Sequence, residues 1–193
     1  MDWPTGPLVK GTLILARRRY VAERGPHALE VVLEGLSPSD QLQLRGVVLP
    51  SSWYPLDLLR RFEAQILRVL GQDDAEEILL DIGRATATAS LTGNGSQRSY
   101  VRQDPHYVLE LSPGIYLSHF NAGARTYEKT GEKSAMVRTT KPFEDGEHEP
   151  CRVTIGWLTR AIEIAGGRNV RVSGTRCRSG CDGRSCELRC EWD

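Results

Sequence analysis

Near Gly123 the spacing of apolar residues changes from the three-to-four of a helix to the two of a strand, which restricts the chain to a mixed architecture. Upstream, residues 10–24 carry Leu13, Ala16 and Tyr20 at helical spacing, continued by Arg24, and Gly25-Pro26 stops the pattern. A short helix is expected over 26–35, with Leu29, Val32 and Leu33 on one side, and Ser37-Pro38-Ser39-Asp40 reads as a turn or a new N-cap. The segment Pro50-Ser51-Ser52-Trp53-Tyr54-Pro55 punctuates the chain before an amphipathic helix over 55–70, whose apolar face is Leu58, Leu59, Phe62, Ile66, Val69 and Leu70. A helix over 74–91 joins an ordinary apolar first half (Ile78, Leu79, Ile82) to the small run Ala85 to Ser90. A further helix over 105–121, broken at Ser112-Pro113-Gly114, carries Val108, Leu109, Ile115, Leu117 and Phe120.

Downstream, strands at 124–129 and 135–140 flank Thr130-Gly131-Glu132-Lys133 as a hairpin. An acidic, proline-bounded loop covers 141–150. A helix over 151–165, marked by Val153, Trp157, Leu158, Ala161, Ile162 and Ala165, leads through Gly166-Gly167 into strands at 169–177 and 185–192. The order predicts one α+β domain over residues 1–193. Residues 1–122 are mainly helical, and 123–193 form a hairpin–helix–hairpin with one four-stranded antiparallel sheet.

Charge narrows the function. The 25 Lys and Arg residues balance 25 Asp and Glu, which argues against binding nucleic acid by neutralising phosphates. No apolar run reaches the ~18 residues of a membrane span, and Met1-Asp2-Trp3-Pro4 resembles no targeting peptide, so a cytoplasmic protein is expected.

Of five cysteines, Cys177, Cys181, Cys186 and Cys190 crowd the C-terminus as C-x3-C-x4-C-x3-C. In the last strand Cys186, Leu188, Cys190 and Trp192 share one face, which reads as core. Residues four apart in a regular strand lie about 13 Å apart, at ~3.3 Å per residue. Sulfurs on one zinc lie within about 4 Å of each other, so Cys186 and Cys190 cannot share an ion. Three readings stay open: buried thiols, a redox pair such as Cys181 with Cys186, and a zinc on Cys177, Cys181 and Cys186. His148, Asp182 or water would complete that zinc's shell. No other cofactor is expected. Cys151, opening a helix, is the best placed cysteine for a lowered thiol pKa.

Catalytic motifs are absent from the sequence. Gly93-Asn94-Gly95 lacks the lysine of a phosphate loop, and there is no G-x-S-x-G, H-E-x-x-H or C-x-x-C. His27, His106, His119 and His148 are scattered. Glu144, Asp145, Glu147, His148 and Glu149 could hold a divalent ion, but read more simply as a solvated tip. Asp81 beside Ile82 is either a buried acid or an arginine's partner. The chain therefore reads as a non-enzyme.

Two features point to self-association. The run Ala85 to Ser90 permits close helix approach, either within the chain or to a second copy, and Arg17, Arg18 and Arg19 could edge a helical interface. The expected homodimer uses Arg17, Arg18, Ala85 and Ala89. The bland reading of the arginines is a solvated helix face.

The stretch from Gly156-Trp157-Leu158 through Glu163-Ile164-Ala165-Gly166-Gly167, then Cys177, Gly180, Cys186 and Trp192, resembles the end of the 4-vinyl reductase ligand-binding domains. It also resembles an uncharacterised family abundant in myxobacteria, as do Lys10-Gly11, Arg19-Tyr20-Val21, Gly25 and Trp53-Tyr54-Pro55. The families are related to TRAPP-type tethering subunits and, more distantly, to haem-nitric-oxide-binding domains. The resemblance implies a helical half packed on a four-stranded antiparallel sheet, dimerisation through helices, and ligand sensing or scaffolding. Only Cys177 and Cys186 match the family's cysteine pair. Ser173-Gly174-Thr175 stands where an acid often precedes the first cysteine, and Cys181 and Cys190 are extra.

The expected function is a cytoplasmic regulatory module that binds a small hydrophobic ligand or docks a signalling partner. The alternative is a dimeric scaffold of a TRAPP-like assembly without a ligand, with an enzyme third.

Overall fold

A strand of three residues, β1 (Leu8–Lys10), opens the chain and runs straight into α1 (Gly11–Ala22). The computed structural model describes residues 6–71, 74–92, 95, 98, 101–140, 151–176 and 185–193. These form two compact units, one of residues up to 78 with 119–121, the other of 79–118 with 122–193.

In the first unit β1 pairs antiparallel with β2 (Trp53–Pro55), Lys10 opposite Trp53. The Lys10 ammonium lies 4.0 Å over the Trp53 ring and donates to the Ser51 carbonyl at 2.6 Å. What the sequence suggests is a proline-marked turn is therefore half of a small sheet. Helices α2 (Ala28–Glu34), α3 (Pro38–Arg45) and α4 (Leu56–Leu70) complete the unit. The Ser37 hydroxyl accepts from the Asp40 N–H at 3.2 Å, so the Ser37 signal is an N-cap.

The inward stripe of α1 is Leu13, Ile14, Arg17, Tyr20 and Val21, not the Leu13, Ala16, Tyr20 and Arg24 line expected. That rotation puts Arg17, 1% exposed, in the middle of the apolar face. On α4 the buried set Leu58, Leu59, Phe62 and Ile66 likewise includes a charge, Glu63, while Val69 and Leu70 are half-buried. Arg17 Nε donates to Glu63 Oε1 at 2.8 Å, so each charge answers the other inside the unit.

The second unit holds α5 (Ala75–Leu91, from Leu79 on), α6 (Pro105–His119, to Ser118), the hairpin β3 (Ala124–Gly131) and β4 (Ser134–Thr140), α7 (Cys151–Ile164), β5 (Arg171–Arg176) and β6 (Ser185–Glu191). The sheet is four-stranded, wholly antiparallel, in the order β3-β4-β6-β5. Its inner rows are Ala135 and Val137 on β4 against Cys190 and Leu188 on β6. Trp157, Leu158, Ala161, Ile162 and Ala165 of the α7 segment join that core, together with Ala87 and Leu91 of α5 and Val108, Leu109 and Ile115 of α6.

Helix α5 meets α7 at two glycines. A Cβ on Gly83 would lie 2.1 Å from the Val153 carbonyl oxygen, and one on Gly156 would lie 2.0 Å from that of Leu80. The hydroxyls of Thr86, Thr88, Ser90 and Thr92 each bond a carbonyl four residues back, which is how the helix and its exit absorb so many β-branched and polar residues.

Helix α6 runs unbroken through Pro113, where a break is expected from the sequence. Proline has no N–H to offer the Leu109 carbonyl, but neighbouring turns and the buried stripe keep the helix in register. Leu117, expected on the apolar face, is 57% exposed. No described helix is long and apolar enough to cross a membrane.

Candidate functional site

The second unit gathers its polar chemistry at the start of α6. Asp104 caps that helix by accepting the His106 N–H at 2.9 Å. The His106 ring stands edge-on to Trp192, with centroids 4.8 Å apart, and to Tyr127 at 6.2 Å. Its Nδ1 is 2.7 Å from the Tyr127 hydroxyl, and its Nε2 is 2.7 Å from the Glu132 carbonyl. A carbonyl only accepts, so Nε2 donates to Glu132, while Nδ1 and the Tyr127 hydroxyl share the second bond. Burial, with the carboxylates of Glu110 and Asp104 adding to it, pushes the Tyr127 phenol up. The cluster therefore ties the first turn of α6 to the β3–β4 turn through the two ring nitrogens of His106.

Below it, the buried stripe of α6 is Val108, Leu109, Ser112, Ile115 and Tyr116. Ser112 sits in the middle of this apolar stripe, fully buried, and its hydroxyl has no hydrogen-bond partner among the described residues. An unpaired buried hydroxyl costs about 1–3 kcal/mol, so it marks a place where a polar group or water would be welcome.

The last strand behaves as its alternation predicts. Cys186, Leu188, Cys190 and Trp192 are all buried. Burial pushes the Cys190 thiol up to about 12, which makes it a core residue rather than a nucleophile. Cys177 and Cys181 of the zinc and redox readings lie outside the described residues, as do His148, Asp182, the acidic loop and the side chain of Cys151. Among the described residues no group of His, Cys, Asp and Glu could hold a metal ion.

Other expected residues take structural places. Asp81 pairs with Arg84 at 3.1 Å, and His27 is exposed. Of the proposed interface residues, Ala89 is exposed, Ala85 and Arg18 are half-buried, and Arg17 is inside. Arg17 cannot edge a dimer interface because its guanidinium is enclosed and bonded to Glu63. The buried members of the small run include Thr86 and Ala87, and Arg160 Nε donates to the Thr88 hydroxyl at 3.2 Å. Part of the run thus serves packing within the chain.

No family model and no curated protein matches the chain. Solved structures do. An oxygen-binding H-NOX domain related to soluble guanylate cyclases superposes with a TM-score of 0.70 at 14% identity, covering 95% of both chains. A variant of the T. Tengcongensis H-NOX gives 0.70 at 15% identity, over 95% of this chain and 97% of that one. A protein solved for the modulation of haem redox potential through porphyrin distortion gives 0.69 at 16%, over 94% and 99%. At these identities the likeness is one of fold. It agrees with the most distant of the resemblances in the sequence, that to haem-nitric-oxide-binding domains.

The likeness also corrects the cofactor expectation. Structures of this fold were solved to study haem distortion and haem redox potential, so the comparison points to haem rather than to zinc or no cofactor. Haem iron takes an axial histidine, thiolate, methionine or tyrosine. Three such groups of the second unit do not fit that role as they stand. His106 has both ring nitrogens in 2.7 Å bonds, and Cys186 and Cys190 are packed in the sheet core.

Proposed function

We propose that this chain is a regulatory module of the H-NOX fold that binds a small, largely apolar ligand and passes its occupancy to a protein partner. The observation that carries the reading is the fold match over 94–95% of the chain to an oxygen-binding H-NOX domain and to a protein studied for its haem redox potential. The partnerless Ser112 hydroxyl in the apolar stripe of α6 supports it, since a ligand's polar atom or its water would complete that group. The sequence resemblance to 4-vinyl reductase ligand-binding domains points the same way. No step is assigned to a haem, because His106, Cys186 and Cys190 are committed elsewhere.

Native mass spectrometry of freshly purified protein, followed by titration with hemin, tests the proposal. A small molecule retained at one per chain, or a saturable one-to-one hemin spectrum with a raised Tm, is expected. A bare chain whose spectrum and Tm hemin leaves unchanged would overturn the ligand reading.

Self-association belongs to the same reading, with Arg18, Ala85 and Ala89 still offering surface and Arg17 removed from the set. A dimer mass by light scattering at tens of micromolar, an ordinary working range, is expected. A monomer there counts against it.

A further inference from the structure

The first unit carries a groove that the ligand reading does not use. It is about 520 Å³, within the range of small-molecule sites, and lies between the α2–α3 corner and α4. One wall is the α4 stripe Arg61, Gln65 and Arg68, at i, i+4 and i+7, so all three project to one side. Leu36 and Ala64 add apolar surface.

The donors in this groove outnumber its acceptors. Asp40, 3% exposed, accepts from Arg61 Nε and Nη2 at 2.8 Å each, a two-point clamp that fixes the guanidinium plane. That clamp uses two of the five N–H groups of Arg61, whose side chain is still 53% exposed. Nη1 is left over. Two turns along, Arg68 is exposed and makes no ion pair among the described residues. Between them the Gln65 amide lies over the bare Cα of Gly35, where a Cβ would come within 1.8 Å of Nε2, so the corner glycine makes the room this side chain occupies. Ser39 also lines the groove. Two guanidiniums and one carboxylate line the groove, with Asp57 a further acid close enough to act on Arg61.

From a rigidly held arginine, a second, exposed one about 10 Å along the helix at 1.5 Å per residue, and an amide between them, we infer that this groove binds a small organic oxyanion, a phosphate ester or a carboxylate. Asp40 is the positioning residue, Arg61 the fork that meets the anion, and Arg68 the second cation. The site lies wholly in the first unit and stands or falls separately from hemin binding.

Isothermal titration of the full chain with phenyl phosphate and with benzoate, at constant ionic strength, tests this. Saturable one-to-one binding of at least one probe is expected, with a Kd on the order of 0.1–1 mM. Arg68→Gln, at an exposed position, should weaken it about fivefold, and Arg61→Lys, which keeps a charge beside Asp40 but loses the fork, about tenfold or more. Unchanged circular dichroism and Tm would show that both variants fold. Tighter binding of phenyl phosphate assigns the phosphate class, and the reverse assigns the carboxylate. No heat from either probe at about ten times the expected Kd, or wild-type affinity in both folded variants, overturns the site.

Discussion

The α5–α7 crossing makes a matched pair of glycine substitutions diagnostic. Glycine in a helix interior costs about 1 kcal/mol relative to alanine, so Gly→Ala in a helix normally stabilises. At Gly83 the added methyl would sit 2.1 Å from the Val153 oxygen and 2.7 Å from the Trp157 nitrogen, both backbone atoms that cannot rotate away. Ordinary contact begins near 3.4 Å, so the two helices would have to part by about 1.3 Å. Overpacking on that scale costs about 1–3 kcal/mol, and the top of the range applies because the obstacle is main chain. After the propensity gain, Gly83→Ala should lose about 2 kcal/mol, which lowers Tm by about 4–8 °C in a chain of this size. Gly156→Ala should act alike, against the Leu80 oxygen at 2.0 Å. The double variant should lose less than the sum, because helices already parted for one methyl have room for the other. Gly114, on α6 with nothing within 4 Å of its Cβ position, is the control, and alanine there should be neutral or raise stability by up to ~1 kcal/mol. Urea unfolding followed by circular dichroism measures all four. Gly83→Ala at or above wild-type stability would refute the crossing.

Arg17→Met should cost about 3–5 kcal/mol by taking from the buried Glu63 its 2.8 Å cationic partner, and Arg17→Met with Glu63→Leu should recover most of that; a single variant costing under ~1 kcal/mol in urea unfolding counts against the pair. Cys190→Ala should lose about 1 kcal/mol and Cys190→Asp several times more, by the same assay. With its thiol pushed up to about 12, Cys190 should resist alkylation at pH 8 until the chain is unfolded, and labelling in the native state, read by peptide mass, would contradict its burial. The hydrogen bonds from Arg61, its coulombic pull and the Ser37 contact hold the Asp40 carboxyl below its usual range despite burial. Its folded pKa is thus depressed, so it contributes stability above the unfolded value near 4 that is lost as pH falls through the folded one. The stability gap between wild type and Asp40→Asn should stay constant above about pH 5 and close on further acidification; a gap independent of pH down to 3, in unfolding titrations, would refute it.

Much of the fold was legible because periodicity is a local property. The helix positions, the hairpin and the inward row Cys186, Leu188, Cys190 and Trp192 follow from spacing alone, since a strand's alternation and a helix's turn are fixed by backbone geometry. The candidate sites were less so. His106 was visible only as one of four scattered histidines, and its bonds to Tyr127 and the Glu132 carbonyl join residues 21 and 26 positions apart. The groove's signal, Arg61, Gln65 and Arg68 on one helical face, was present in the sequence. What made it a site was Asp40, delivered from 21 residues away.

The amino-acid order by itself determined the α+β class and the antiparallel hairpins. Only the tertiary structure decided which charges are core. Arg17 and Glu63 each occupy an apolar stripe, and read singly each belongs on a solvated face, because one buried ion is too costly to keep. Folding brings them together from 46 residues apart, and the pair tolerates a burial that neither charge could bear alone. The same holds for the small residues of α5. Their size was readable in the sequence, but whether they served a second copy or α7 depended on where residues 153–157 came to lie. Gly83 and Gly156, each set against the other helix's backbone, answer that for the buried side of the helix.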